Sequence, residues 1–95
     1  MSGKTVQNIF EQLGFEKPEA ANMKVRAELL LEIREHLRKS GLKQKEAATL
    51  LEINQPEVSA LMNGMMYKFS IDALVNMLAK LGREVKITSR RRRAA

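Results

Sequence analysis

Apolar residues recur at helical spacing along most of the chain, and the breaks between the runs mark the ends of elements. Val6, Ile9, Phe10 and Leu13 fall at i, i+3, i+4 and i+7, which predicts a short amphipathic helix that Gly14 ends. Phe15 follows as an anchor for the link to the core. Pro18 suits the first turn of a second helix, and Glu19 favours the positive end of its dipole. Met23, Ala27, Leu30, Ile33 and Leu37 keep helical spacing, Leu29 and Leu31 broaden the stripe, and Ser40-Gly41 stops it. Glu28, Glu32 and Glu35 are like-charged neighbours on this helix, while Glu35–Lys39 pairs opposite charges in the better order.

The stretch from Leu42 to Gly64 holds two shorter helical patterns with a tight break. Ala47, Ala48, Leu50 and Leu51 give the first its apolar face, and Val58, Leu61 and Met62 give the second one. One continuous helix is excluded, because Pro56 lacks a backbone donor and would clash with the preceding turn. Read as a new start, Asn54 is the N-cap, Pro56 lies in the first turn and Gly64 takes the left-handed closing position. Two helices of about two turns each, joined by a three- or four-residue turn, make a helix-turn-helix.

Met65-Met66-Tyr67-Lys68 then reads as an exposed loop. Met65 and Met66 either pack in it or face a partner, and Tyr67 is read as a packed loop aromatic. Ser70 is the N-cap of a last helix, with Phe69 and Leu74 as a hydrophobic staple. Leu74, Met77, Leu78 and Leu81 form its buried face and Gly82 its cap. Beyond it, Glu84-Val85-Lys86-Ile87-Thr88 alternates like a short strand. A lone strand leaves its backbone groups unpaired, so Val85 and Ile87 are expected to pair with the same strand of a second copy in a two-fold homodimer.

The expected organisation is therefore residues 1–17 as amino-terminal helix and link and 18–82 as the helix-turn-helix domain, with its motif at 44–63. Residues 83–89 form the dimerising strand and 90–95 a basic tail. Ninety-five residues suffice for one domain with a modest core. Cysteine is absent, which excludes disulfides and thiolate metal sites and fits a reducing cytoplasm. No apolar run nears a membrane span, so no membrane partner is expected.

The formal charge of +6 and pI near 10.0 point to nucleic acid. Yet residues 83–95 carry six Lys/Arg against one acid, while residues 42–82 carry four against four. Residues 42–82, which hold the helix-turn-helix, are neutral in sum, and the excess lies in the tail. The run Arg90-Arg91-Arg92-Arg93 reads equally well as a solubilising tail and as a phosphate-binding arm. An enzyme is not expected: there is no histidine pair, no glycine-rich phosphate loop and no serine with a base partner. His36 belongs on a solvated helix face, and no catalytic residue, metal or cofactor is assigned.

Gln44, Ala48, Leu51, Ile53, Val58 and Leu61 are spaced like the helix-turn-helix of the Cro/C1-repressor (XRE) family. The wider text (FEQLGF, KQKEAATLL, INQPEVSALMNG, FSIDALVNMLAKLG and VKI) resembles a subgroup that includes HigA-type antitoxins, small repressors encoded beside a RelE-like ribonuclease toxin. The resemblance runs from Val6 to about Thr88. It implies an all-α, five-helix lambda-repressor-like DNA-binding domain, with the short carboxy-terminal β-strand pairing across a dimer. It implies a cytoplasmic, nucleoid-associated repressor of double-stranded DNA. For antitoxin-type members it adds a RelE-like toxin as partner. Two positions depart from the pattern. Glu52 stands where the family often has glycine in a left-handed turn, a cost of ~1–2 kcal/mol. Lys43 stands where Ser or Thr often caps the first helix.

In such a motif the start of the second helix enters the major groove. Gln55 is then the best base reader, because its amide both donates to and accepts from adenine. Ser59 would reach base or phosphate, Glu57 would accept from cytosine, and Ala60 would touch a thymine methyl; for Glu57 the helix dipole is the preferred explanation. The resemblance makes Gln44 a phosphate contact that braces Gln55. Asn54, Asn63 and Lys68 complete the DNA-binding set, with Lys43 and Lys45 supplying charge beside the groove.

Overall fold

The computed structural model describes Ile9, Gln12, Leu13 and residues 17–91. Among these, four α-helices appear: α1 (Lys17–Ser40), α2 (Gln44–Leu51), α3 (Gln55–Met62) and α4 (Ile71–Lys80). A single 3-10 turn, Met66–Lys68, joins α3 to α4. The expected first helix is represented only by Ile9, Gln12 and Leu13, with the Leu13 N–H donating to the Ile9 carbonyl at 3.1 Å. Val6, Phe10, Gly14 and Phe15 lie outside the described residues, as do Arg92 and Arg93.

The twenty-four residues of α1 supply the wall on which the rest is built. Glu19 sits in its first turn and Arg38 and Lys39 in its last, each matched to the dipole. Ala20, Ala27, Leu29, Leu30, Ile33 and Leu37 are buried, whereas Leu31 points outward. Each glutamate of the acidic run finds a cation: Glu28 with Lys24 at 3.8 Å, Glu32 with Arg83 at 3.0 Å, and Glu35 with Arg38 and Lys39. The Arg38 guanidinium, by hydrogen bond and charge, holds the Glu35 carboxyl below its ordinary range, with Lys39 assisting.

Against this wall pack α4, α3 and the 3-10 turn, while α2 crosses onto α3 and α4. Leu30, Ile33, Leu51, Leu61, Leu74 and Leu78 are fully buried at the centre. Each such side chain contributes roughly 1.5–3 kcal/mol by leaving water, and the set draws on all four helices. The staple before α4 is formed: the Ser70 hydroxyl accepts from the Ala73 N–H at 3.1 Å, and Phe69 and Leu74 are both buried.

Three helices end in one hydrogen-bond pattern. The Ile53 N–H donates to the Ala48 carbonyl and that of Glu52 to Thr49; Met65 and Gly64 donate to Ala60 and Leu61; Arg83 and Gly82 donate to Leu78 and Ala79. This paired closure needs a left-handed residue. Gly64 and Gly82 adopt it at φ 75° and 79°, and Glu52 adopts it at φ 58° with a side chain in place.

Several expectations are corrected. Leu50 is exposed rather than part of the apolar face of α2. Residues 65–68 are not a free loop: Met65 and Met66 are half-buried against the core, and only Tyr67 and Lys68 face solvent. Residues 83–91 form no helix and no strand among the described residues, since strand pairing needs a second segment. Val85 packs against the core, while Ile87 is 75% exposed, so the two do not share one face.

Candidate nucleic-acid interface

The turn between α2 and α3 places the start of α3 at the surface. Asn54 is extended (φ −86°, ψ 167°), and its side-chain oxygen accepts from the Glu57 N–H at 2.8 Å. The Glu57 carboxylate returns the contact by accepting from the Asn54 N–H at 3.0 Å. This reciprocal cap satisfies two donors that the helix itself cannot. It engages one oxygen of each side chain, so capping accounts for Glu57 without a base contact.

Gln55 follows as the first residue of α3, exposed and with no side-chain partner among the described residues. One turn on, Ser59 is half-buried, and its hydroxyl accepts from the Asn63 side-chain amide at 3.4 Å. The opposite side of α3 is anchored by Val58 and Leu61, 2% and 0% exposed. Ala60 is anchored with them at 7% exposed, so its methyl belongs to the core and is not offered to a base. The physical reason is that α1, α2 and the 3-10 turn all touch α3, burying a wider arc than two apolar positions define.

Further exposed polar groups lie on the neighbouring elements. Lys43 precedes α2 with no side-chain cap of its own, but the Glu46 carboxylate accepts from its backbone N–H at 2.8 Å. Lys43, Gln44 and Lys45 are exposed at the start of α2. Gln44 makes no hydrogen bond to Gln55, so the expected brace is not formed in the free protein. Asn63 caps the end of α3, and Lys68 projects from the 3-10 turn. Tyr67 beside it is 59% exposed, which corrects its reading as a packed aromatic. Single aromatics in short loops carry no periodicity, so the sequence offered no signal for that orientation.

The arrangement of an anchored short helix, an exposed polar start and a preceding support helix defines a helix-turn-helix class domain. Comparison with known proteins agrees. The family described as helix-turn-helix domain matches residues 9–90. The chain is also similar to a solved structure named as a provisional XRE family transcriptional regulator. The two are 34% identical with a TM-score of 0.75, covering 82% of this chain and 91% of that one. No curated protein matches the chain. The chain belongs to the XRE family of helix-turn-helix proteins.

Among the described residues, no helix is long and apolar enough to cross a membrane.

Proposed function

We propose that the chain is a sequence-specific, double-stranded DNA-binding transcriptional regulator whose α3 enters the major groove. The observation that carries this reading is the division of α3 into a buried side held by Val58, Ala60 and Leu61 and an exposed start bearing the unpartnered Gln55. An uncommitted amide on a rigid helix is suited to an adenine edge. Ser59 and Asn63 extend the polar face, and Lys43, Gln44, Lys45, Tyr67 and Lys68 are suited to phosphates, which position the protein without specifying sequence. Asn54 and Glu57 fix the start of the helix.

The working unit on this reading is a homodimer. Residues 83–88 lie along a groove of about 450 Å³ that Val25, Leu29, Ile71 and Val85 line and Ile87 overlooks. Beyond Arg83 no backbone hydrogen bond is made among the described residues of this segment, which suits pairing with a second copy. Half-site centres would then lie roughly 34 Å apart, one turn of duplex. The balanced charge of residues 42–82 favours a second reading, in which the chain is a protein-interaction module that neutralises a RelE-like toxin, with DNA binding secondary. Co-purification with the product of a neighbouring ribonuclease-like frame supports that reading; its failure to bind such a product rejects it.

The test is DNA affinity against salt, on the upstream promoter and a scrambled duplex. It uses the full chain and a variant with the four arginines at 90–93 replaced by glutamine. The variant should keep a preference of ~1000-fold or more for the promoter, with a shallower salt slope. Loss of all preference, with binding that vanishes alongside the arginines, would reject the regulator.

A further inference from the structure

The end of α2 is the one helix end in the motif that a side chain from a distant element supports. α2 has no basic residue in its last turn. Lys80, in the last turn of α4, reaches across and donates from Nζ to the Leu51 carbonyl at 3.3 Å. The same ammonium lies 3.8 Å from the carboxylate of Glu52. Leu51 is the last residue of α2, and Glu52 is the left-handed residue at φ 58° that begins the turn into α3.

These contacts meet at one mechanical point. A free carbonyl at a helix end attracts a cation, and α2 obtains its cation from α4 rather than from itself. A non-glycine residue in left-handed geometry persists only where its surroundings hold it. From Glu52 to Gln55 the chain has only Ile53 and Asn54, so the dihedral at Glu52 sets how the start of α3 leaves the domain.

We propose that Lys80 is a positioning residue for DNA reading: by clamping the Leu51 carbonyl and the Glu52 carboxylate, it fixes the left-handed turn and hence the direction of Gln55. This accounts for an acid, rather than a glycine, at the turn, because the acid gives the clamp its second point. The proposal rests on the reading of α3 as the base-reading helix, and its test separates the two.

Lys80→Met keeps the aliphatic stem and removes the donor; Lys80→Arg keeps charge and donor. Amide hydrogen exchange is followed at Glu52 and Ile53, with the α4 amides as reference. Affinity is measured on a selected duplex and a scrambled one. Lys80→Met should speed exchange at Glu52 and Ile53 relative to α4 and lower affinity for the selected duplex by about fivefold, the scale of one hydrogen bond. Affinity for the scrambled duplex should stay constant, and Lys80→Arg should restore both readouts. Unchanged exchange at Glu52 and Ile53 in Lys80→Met overturns the clamp. An equal fall on both duplexes, with a shallower salt slope, also overturns it and makes Lys80 a phosphate contact. If the wild-type chain does not discriminate between duplexes, the regulator reading fails, and exchange alone decides for or against the clamp.

Discussion

Helices α2 and α3 are each eight residues long and close with the same pair of backbone hydrogen bonds, yet they are secured differently. Helix α3, the proposed reading helix, carries its own fittings: Asn54 and Glu57 cap one end, and Gly64 turns the chain at the other. The support helix α2 has Lys43 where a capping oxygen would stand and Glu52 where a glycine would turn freely. It depends instead on Glu46, on Lys80 and on the burial of Ala47, Ala48 and Leu51. The two helices bury equal numbers of residues, so the contrast lies at their ends: α3 is capped from its own sequence, whereas α2 borrows a group from α4. The difference matches the roles proposed for the two.

Substitutions can break or sharpen this contrast, and their expected sizes fall in order. Gly64→Ala strikes the closure of α3. The added Cβ would meet only Arg34 Nη1 at an ordinary 3.6 Å, so the cost is conformational, about 1–2 kcal/mol, visible as a lowered denaturant midpoint at constant m. Asn54→Ala removes the cap of α3 and should cost about 1 kcal/mol by the same measurement. Glu52→Gly acts in the opposite direction. Relief of ~1–2 kcal/mol of left-handed strain, less ~0.5–1 kcal/mol for the added freedom of the unfolded chain and a few tenths for the exposed ion pair with Lys80, leaves a modest gain. Smallest is Lys43→Ser, which supplies the missing cap oxygen to α2 and should add about 0.5 kcal/mol in thermal or chemical unfolding. If the two α2 substitutions destabilise while those in α3 are neutral, the contrast is inverted.

Much of this was legible in the sequence because it is written in local chemistry. Pro56 after Asn54 marked the break and restart, Gly64 and Gly82 marked closures, and Ser70 with Phe69 and Leu74 marked the start of α4. The left-handed residue at Glu52 was anticipated from the family resemblance, and the structure has it at φ 58°. What escaped depends on more than one element at once. Eight residues make barely two turns, so Val58 and Leu61 gave the buried direction of α3 but not its breadth, and Ala60 fell on the wrong side of the line. Leu50 lies on α2 at a position that no neighbouring helix covers, which periodicity cannot show. The contact from Lys80 to Leu51 spans 29 positions and leaves no local trace. The alternation at residues 84–88 expressed a capacity to pair, and no strand forms there among the described residues.

The central claim is that the exposed start of α3 reads sequence through Gln55. The most direct measurement is selection of duplexes from a random library by the full chain, repeated with Gln55→Ala. The account predicts a two-fold symmetric consensus in which the variant loses preference at one position in each half-site. The loss should be worth about 1–3 kcal/mol there, with the other positions intact. The same consensus at every position from both proteins would contradict it.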